Sequence, residues 1–296
     1  MAQALPDLAG AVERAGHSIV AIHARQRIPS SGVHWRPGVV VTAHHTIKRD
    51  HDIRVTTAAG AVVDAALAGR DPTTDIAVLR IEAGALEVAG IAESSSLRVG
   101  QPALAVGRPG DEVTASFGII SAVGGEWRTW RGGTIDRFVR LDLNVYDGFS
   151  GGALVTGSGQ IAGINTSGLA RGAAITVPAV TVDRVVDELL ARGRIARAYI
   201  GVGVQPVRIP AAMAAALGVA SDAALIVVVV EPGSPADRAG VIIGDIIVAI
   251  DGTPLADAEG LMSFLGGHLI GQAATVRVIR GGQPRDLTVA VGERSE

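Results

Sequence analysis

The chain of 296 residues contains no cysteine. Disulfides and a thiol nucleophile are both excluded, and the composition suits a reducing compartment. Aromatic residues make up only 3%, so the cores must be built from Val, Ile, Leu and Ala. The net charge is −3, with no basic block anywhere, which argues against nucleic acid as a partner. No apolar run approaches the length that crosses a bilayer, so no membrane span is expected. There is neither a zinc-ligand cluster nor a phosphate-cradling loop, and no metal or organic cofactor is expected. Met1 to Ile28 lacks a basic start, an apolar stretch and a small-residue cleavage site, and carries Asp7, Glu13 and Arg14 instead. We read no signal peptide there and expect a cytoplasmic location, with a periplasmic one as the alternative if a leader is missing from this chain.

At 48% hydrophobic and 19% charged, the chain reads as globular and is long enough for two or three domains. One stretch stands out, Asp147-Gly148-Phe149-Ser150-Gly151-Gly152-Ala153. Gly148 has no Cβ, so its backbone can turn tightly and aim its N–H inward, beside the N–H of Ser150. Two such donors stabilise the oxyanion of a tetrahedral intermediate. Gly151 and Gly152 leave room for a carbonyl to approach the Ser150 hydroxyl. In a chain with 39 glycines, the rival is a glycine-rich turn with an ordinary serine.

A serine nucleophile needs a histidine to take its proton and a carboxylate to orient that histidine. Val39-Val40-Val41-Thr42 runs into Ala43-His44-His45, and Asp71-Pro72-Thr73-Thr74-Asp75 leads into Ile76-Ala77-Val78-Leu79. The order His, Asp, Ser, with gaps of 30 and 75 residues, is that of chymotrypsin. Thr42-Ala43-His44-His45 looks like the T-x-x-H that ends a strand in trypsin-like proteases. The run from Asp71 to Leu79 resembles the D-P-x-T-D-L-A-V-L of the HtrA family. Gly107-Arg108-Pro109-Gly110, Gly118 to Ala122 and Gly163-Ile164-Asn165-Thr166 match family landmarks in order. The resemblance covers nearly the whole chain.

The T-x-x-H spacing selects His45 as the base and leaves the role of His44 open; in an extended segment the two cannot face the same way. Asp75 is expected to orient His45, and Asp71 to cap the turn through its side chain. The family pattern N-P-G-N-S-G-G-P is altered at Tyr146, Asp147 and Phe149, which leaves open whether the resting oxyanion hole is formed. Phe149 is expected either to narrow access or to pack into a neighbouring loop. The loop Arg171 to Pro178 corresponds by order to the segment that lines the primary specificity pocket. Ala173, Ile175 and Thr176 are its candidate substrate contacts, and with no acid among them a small aliphatic P1 residue is expected.

Residues 5 to 15 are predicted helical, with Asp7 as cap and Leu8, Ala11, Val12 and Ala15 on one face. Short β-type runs then continue to about residue 177, which suggests an all-β barrel or sandwich. The resemblance sharpens this to a mainly β chymotrypsin-like double barrel with the site in the cleft between two six-stranded barrels. A helix bearing Val182, Val185, Val186, Leu189 and Leu190 stops at Gly193. The protease domain is assigned to residues 1–195 and a PDZ domain, a small α+β partly open barrel, to 196–296, with Arg192 to Arg197 as the linker.

In the second domain Tyr199-Ile200-Gly201-Val202 matches the family's carboxylate-binding loop, and Glu231 to Gly240 its S-P-A-x-x-A-G turn of helix. Ser234 suits the N-cap, Pro235 the first helical position and Gly240 the stop. Asp251-Gly252 reads as a turn after a strand, and Asp257 as the cap of a helix with Leu261, Met262, Phe264 and Leu265. Such a module adds a peptide C-terminus as a strand beside Ile200 to Val204; the rival is an ordinary buried strand. The resemblance thus implies an ATP-independent serine endopeptidase acting on unfolded polypeptide in protein quality control. The alternatives are a catalytically impaired, chaperone-like peptide-binding scaffold and a protease locked off until a peptide reaches the PDZ groove. It also implies a homotrimer built through the N-terminal part of the protease domain, often by aromatic residues, of which this chain has none before Trp35.

Overall fold

The computed structural model describes residues 7–82, 86–170, 173–216, 218–219, 221–267 and 270–294. The chain divides into two compact units, Met1–Ile195 and Ala196–Glu296. The first opens with helix α1 (Leu8–Gly16), where the Asp7 carboxylate accepts the Gly10 N–H at 2.9 Å. This satisfies one of the donors that a helix start leaves unpaired.

Strands β1 (Ile19–His23), β2 (Ser30–Arg36), β3 (Val39–Ala43), β4 (Ile53–Thr56), β5 (Val62–Asp71) and β6 (Ile76–Ile81) close into a barrel in the order β1-β2-β3-β6-β5-β4. A second barrel uses β7 (Pro102–Gly107) and β8 (Thr114–Val123). After the hairpin of β9 (Trp127–Arg128) and β10 (Thr134–Ile135) it adds β11 (Val139–Asp142), β12 (Ala153–Val155), β13 (Ile161–Thr166) and β14 (Ala174–Pro178). Its order is β11-β14-β13-β12-β7-β8. The expected pair of six-stranded barrels is present.

Strands that are apolar without alternation are explained by burial on both sides. Successive side chains of a strand point to opposite faces. Val40, Ala77 and Leu79 fill the first barrel with Val20, Ile22, Ile53 and Val55. Their neighbours Val39, Val41, Ile76 and Val78 turn outward, into a core shared with Val106, Ala153, Ile164 and Val177 of the second barrel. Helix α2 (Ala179–Arg192) lays Val182, Val185, Val186 and Leu189 on the same core. It ends where Gly193, at φ 74°, donates its N–H to the Leu189 carbonyl, a conformation that glycine adopts without steric cost.

The second unit contains β15 (Ala198–Tyr199), β16 (Val202–Arg208), α3 (Ala211–Ala216), β17 (Ala223–Val230), α4 (Pro235–Arg238), β18 (Ile246–Ile250), β19 (Thr253–Pro254), α5 (Ala258–Gly267), β20 (Ala273–Arg280), β21 (Gln283–Ala290) and β22 (Gly292–Glu293). The main sheet runs β16-β17-β18-β20-β21, so β16 is an edge, and β15 pairs with β22. The local signals act as read. Ser234 accepts the Asp237 N–H, Asp257 accepts the Gly260 N–H, and Asp251 and Gly252 both turn with positive φ. Leu225, Val227, Ile247, Leu261 and Leu265 belong to a core separate from that of the barrels.

Candidate functional site

The turn Asp71–Asp75 is built by its first residue. The buried Asp71 carboxylate accepts the N–H and hydroxyl of Thr73 and of Thr74 at 2.7–3.3 Å. That turn delivers Asp75 to the foot of β6 with φ 59°, a left-handed conformation uncommon outside glycine and asparagine-like residues. The conformation is held in place by what the residue touches. Its carbonyl accepts the His44 N–H at 2.9 Å, and Oδ1 accepts the His45 N–H at 2.9 Å. Oδ2 accepts from His45 Nδ1 at 2.7 Å and from the Thr166 hydroxyl.

The histidine segment is a 3-10 turn, His44–Thr46, and not the extended strand end that the sequence suggested. The tighter turn sends the two rings to different surroundings. His45 reaches Asp75, its side chain 32% exposed over a carboxylate that is 3% exposed. With Nδ1–H donated to Asp75, the neutral ring presents Nε2 as an acceptor. His44 instead has a buried Nδ1 with no partner. Burial lowers its pKa, against the pull of Asp75 and with the help of Arg70 and Arg131.

Ser150 is 7% exposed. Its turn closes through Phe149 N–H to Tyr146 carbonyl (3.0 Å) and Gly152 N–H to Phe149 carbonyl (2.8 Å). Gly148 sits at φ 88°, where a Cβ would lie 2.5 Å from Pro109 Cβ and 2.8 Å from the Pro29 carbonyl, so no other residue fits. Among the described residues the N–H groups of Gly148 and Ser150 have no hydrogen-bond acceptor. Phe149 does not narrow the opening: it is 1% exposed and packs edge-on against Tyr146, ring centroids 5.3 Å apart. The Ser150 hydroxyl pairs with the Ser167 hydroxyl at 3.1 Å, and no hydrogen bond joins it to His45.

Comparison with known proteins follows the same division. The trypsin-like peptidase domain family matches residues 30–164, which include His45, Asp75 and Ser150, and the PDZ domain family matches residues 198–291. A curated relative from Brucella suis, a probable periplasmic serine endoprotease DegP-like, is 35% identical over 262 residues. That match takes in 86% of this chain, which spans about half (50%) of the relative's length. The crystal structure of the serine endoprotease from Yersinia pestis is 30% identical, with TM-score 0.78, and the match covers 99% of this chain and 100% of that one. A variant of the HtrA-type protease AlgW with a tripeptide is 31% identical, with TM-score 0.76 and coverage of 97% of both chains. The chain belongs to the HtrA-type serine proteases.

Within this HtrA-type chain the primary-pocket candidates need correction. Ile175 is buried in the core between the barrels, and Thr176 is fully buried with its hydroxyl donated to Asn165 Oδ1 at 2.8 Å. Both side chains are buried and offer no surface to a ligand. Thr176 acts on the serine turn indirectly. Asn165 accepts the Gly151 N–H, donates its own N–H to the Gly152 carbonyl and gives its side-chain amide to the Ala153 carbonyl at 2.7 Å. Ala173 keeps part of its surface open; Arg171 and Gly172 of the same loop lie outside the described residues.

Three residues near the site escaped the reading of the sequence. Thr166, quoted only as a landmark, links the Gly168 N–H to Asp75 through its hydroxyl. Gly168 lies so close over the pair that a Cβ there would be 2.6 Å from Asp75 Oδ2 and 2.8 Å from His45 Nδ1. Ser31, on β2, touches the serine turn directly. Only glycines without a Cβ and small hydroxyls fit such places, but nothing local in the sequence marks them.

In the PDZ domain, the Tyr199–Val202 loop leads into the free edge of β16. The carbonyls of Ile200 and Gly201 accept N–H groups from Ala236 and Glu231, which fixes the loop against α4. Among the described residues the N–H groups of Ile200 and Gly201 have no acceptor. The Tyr199 hydroxyl donates to Glu231, which raises its pKa, aided by burial. Ile200 is buried in the core, so its side chain serves packing.

Proposed function

We propose that the chain is an ATP-independent serine endopeptidase. Ser150 Oγ attacks the scissile carbonyl carbon and passes its proton to His45 Nε2. Asp75 holds the ring in the required tautomer and stabilises the imidazolium. The N–H groups of Gly148 and Ser150 receive the oxyanion. Collapse of the intermediate breaks the C–N bond, the leaving amine takes the proton from His45, and water hydrolyses the acyl-enzyme by the same relay. The observation that carries this reading is the His45–Asp75 hydrogen bond together with two unpaired backbone donors at the serine turn.

The substrate class is polypeptide in locally unfolded form, cut after small aliphatic residues; Ala173 remains the candidate wall of that pocket. The PDZ domain takes a peptide C-terminus, its carboxylate on the N–H groups of the Tyr199–Val202 loop and its backbone along β16. Solved relatives with peptides bound support this class of partner. The relatives' names place them in the periplasm, and we assign this chain there too, in preference to the cytoplasmic location first expected. No helix among the described residues is long and apolar enough to cross a membrane.

The test is labelling with a fluorophosphonate probe, which reacts only with an activated serine. Wild type is expected to be labelled at Ser150 and to digest casein. Ser150→Ala is expected to lose both, and retention of casein digestion by that variant would refute the assignment. The contact of Ser150 with Ser167 in place of His45 favours a second reading, a resting state released by ligand. In that case a peptide with a hydrophobic C-terminus raises the labelling rate.

A further inference from the structure

The oxyanion donors lie on a loop of the second barrel, yet a side chain of the first barrel grips that loop. Ser31 is fully buried on β2. Its hydroxyl donates to the Gly148 carbonyl at 2.7 Å and accepts the Arg108 N–H at 2.8 Å. Its own N–H donates to the Ser150 carbonyl at 3.3 Å, and its carbonyl accepts the Thr42 hydroxyl at 2.6 Å. Both sides of this grip are anchored. Arg108 directs its guanidinium at three backbone carbonyls, those of Ile19 (2.8 Å), Asp111 (2.5 Å) and Gly16 (3.2 Å). Gly107 is bare because a Cβ there would sit 2.7 Å from Ser31 Oγ.

A peptide group is planar, so a held carbonyl fixes the whole plane. Ser31 holds the plane between Gly148 and Phe149 and the plane between Ser150 and Gly151. The Ser150 N–H belongs to the plane between these two, and the Gly148 N–H to the plane just before the first. Each donor is thus next to a fixed plane. Glycine at 148 could otherwise swing freely, since it has no Cβ to restrict φ. We propose that Ser31 is the positioning residue that keeps the oxyanion loop in its donor-presenting conformation. This rests on the reading that Gly148 and Ser150 receive the oxyanion.

The test uses the full chain and the near-isosteric pair Ser31→Thr and Ser31→Val, which differ in the hydroxyl alone, with Ser31→Ala alongside. Rates are measured on a peptide ester below the melting temperature of each variant. Affinity is measured for the matching peptide aldehyde, whose hemiacetal oxygen occupies the same site as the oxyanion. Removing one oxyanion donor outright costs about 100- to 1,000-fold in kcat. Loosening both is expected to cost Ser31→Val and Ser31→Ala about 10- to 100-fold in kcat, with KM within about 2-fold. The aldehyde should weaken by a similar factor, and Ser31→Thr should stay within about 3-fold of wild type. Equal losses in the Thr and Val variants, or a fall in kcat without weaker aldehyde binding, would overturn the proposal; so would no loss in any variant. The fluorophosphonate separates the two levels of failure. If wild type is labelled at Ser150 and the kinetic pattern is absent, only the role of Ser31 falls. If Ser150 is not labelled, the catalytic assignment falls and this proposal with it.

Discussion

At the scale of single residues, the proposed relay depends on atoms that are missing as much as on those present. Gly168 covers the His45–Asp75 pair at a distance that leaves no room for a methyl group. Gly168→Ala is therefore expected to push the ring off the carboxylate and to lower kcat by about 100-fold or more, since misplacements of about 1 Å cost that much. Steady-state kinetics on a peptide ester check this, with an unchanged melting profile as control. His44 gives a second expectation. Burial depresses its pKa in the folded chain, whereas the unfolded chain protonates near 6.5. As pH falls through that value the unfolded state takes up a proton that the folded state refuses, so stability drops. Replacing it, as in His44→Gln, should flatten the fall in stability as pH drops through that value. Denaturant titrations on either side of that value measure it, and an unchanged slope would refute it.

The residues proposed as the triad stood out because their chemistry and order are rare in combination, and His45 and Asp75 adjoin the apolar strands β3 and β6 while Ser150 lies in a glycine-rich turn. Ser31 did not, because its partner carbonyl lies 117 residues away. A serine in a strand carries no mark of what it faces. Ile175 and Thr176 were misassigned for a related reason: order along the chain locates a loop but not where β14 begins. Pairing engages only the backbone; what removes these two side chains from a ligand's reach is that both are buried.

Among the elements, helix α2 shows how far local signals reach. Its apolar spacing and terminal glycine were both readable, and the structure agrees from Val182 to Gly193. The Gly193 site is open: a Cβ there would meet nothing nearer than the Ala68 carbonyl at 3.6 Å. Gly193→Ala should therefore cost only the left-handed conformational penalty, about 1 kcal/mol. Chemical denaturation would show this as a lower midpoint with the slope unchanged. The histidine segment marks the opposite limit. A 3-10 turn of three residues has too few positions for any periodicity to appear, and an extended end was the natural expectation.

For the whole molecule, the barrels and the PDZ domain have distinct cores, one built around the Val39, Val41 and α2 side chains and one around Leu225 and Ile247. Each should fold alone. Residues 196–296 expressed separately are expected to melt cooperatively with an enthalpy of about 70 kcal/mol. Residues 1–195 should keep fluorophosphonate labelling at Ser150. Calorimetry and labelling of the two pieces decide this, and a featureless melt of either piece would refute it. The expected division came from the family resemblance of the Tyr199–Val202 and Ser-Pro-Ala stretches, which lie far beyond the valine-rich strands in the chain. The closure of each barrel was expected from the family resemblance alone and not from any local pattern, because strand order is a property of pairings between distant segments.

The edge strand β16 carries one more implication. Pro206 has no N–H, so the run of alternating donors and acceptors along that edge is broken after Val202–Gln205. A tail laid there finds a track about four residues long. Selectivity is thereby confined to the last few side chains of the bound segment. On the proposed reading of this edge, everything upstream of them is free to differ from one client to the next, so a single groove would serve many proteins that share nothing but their final letters.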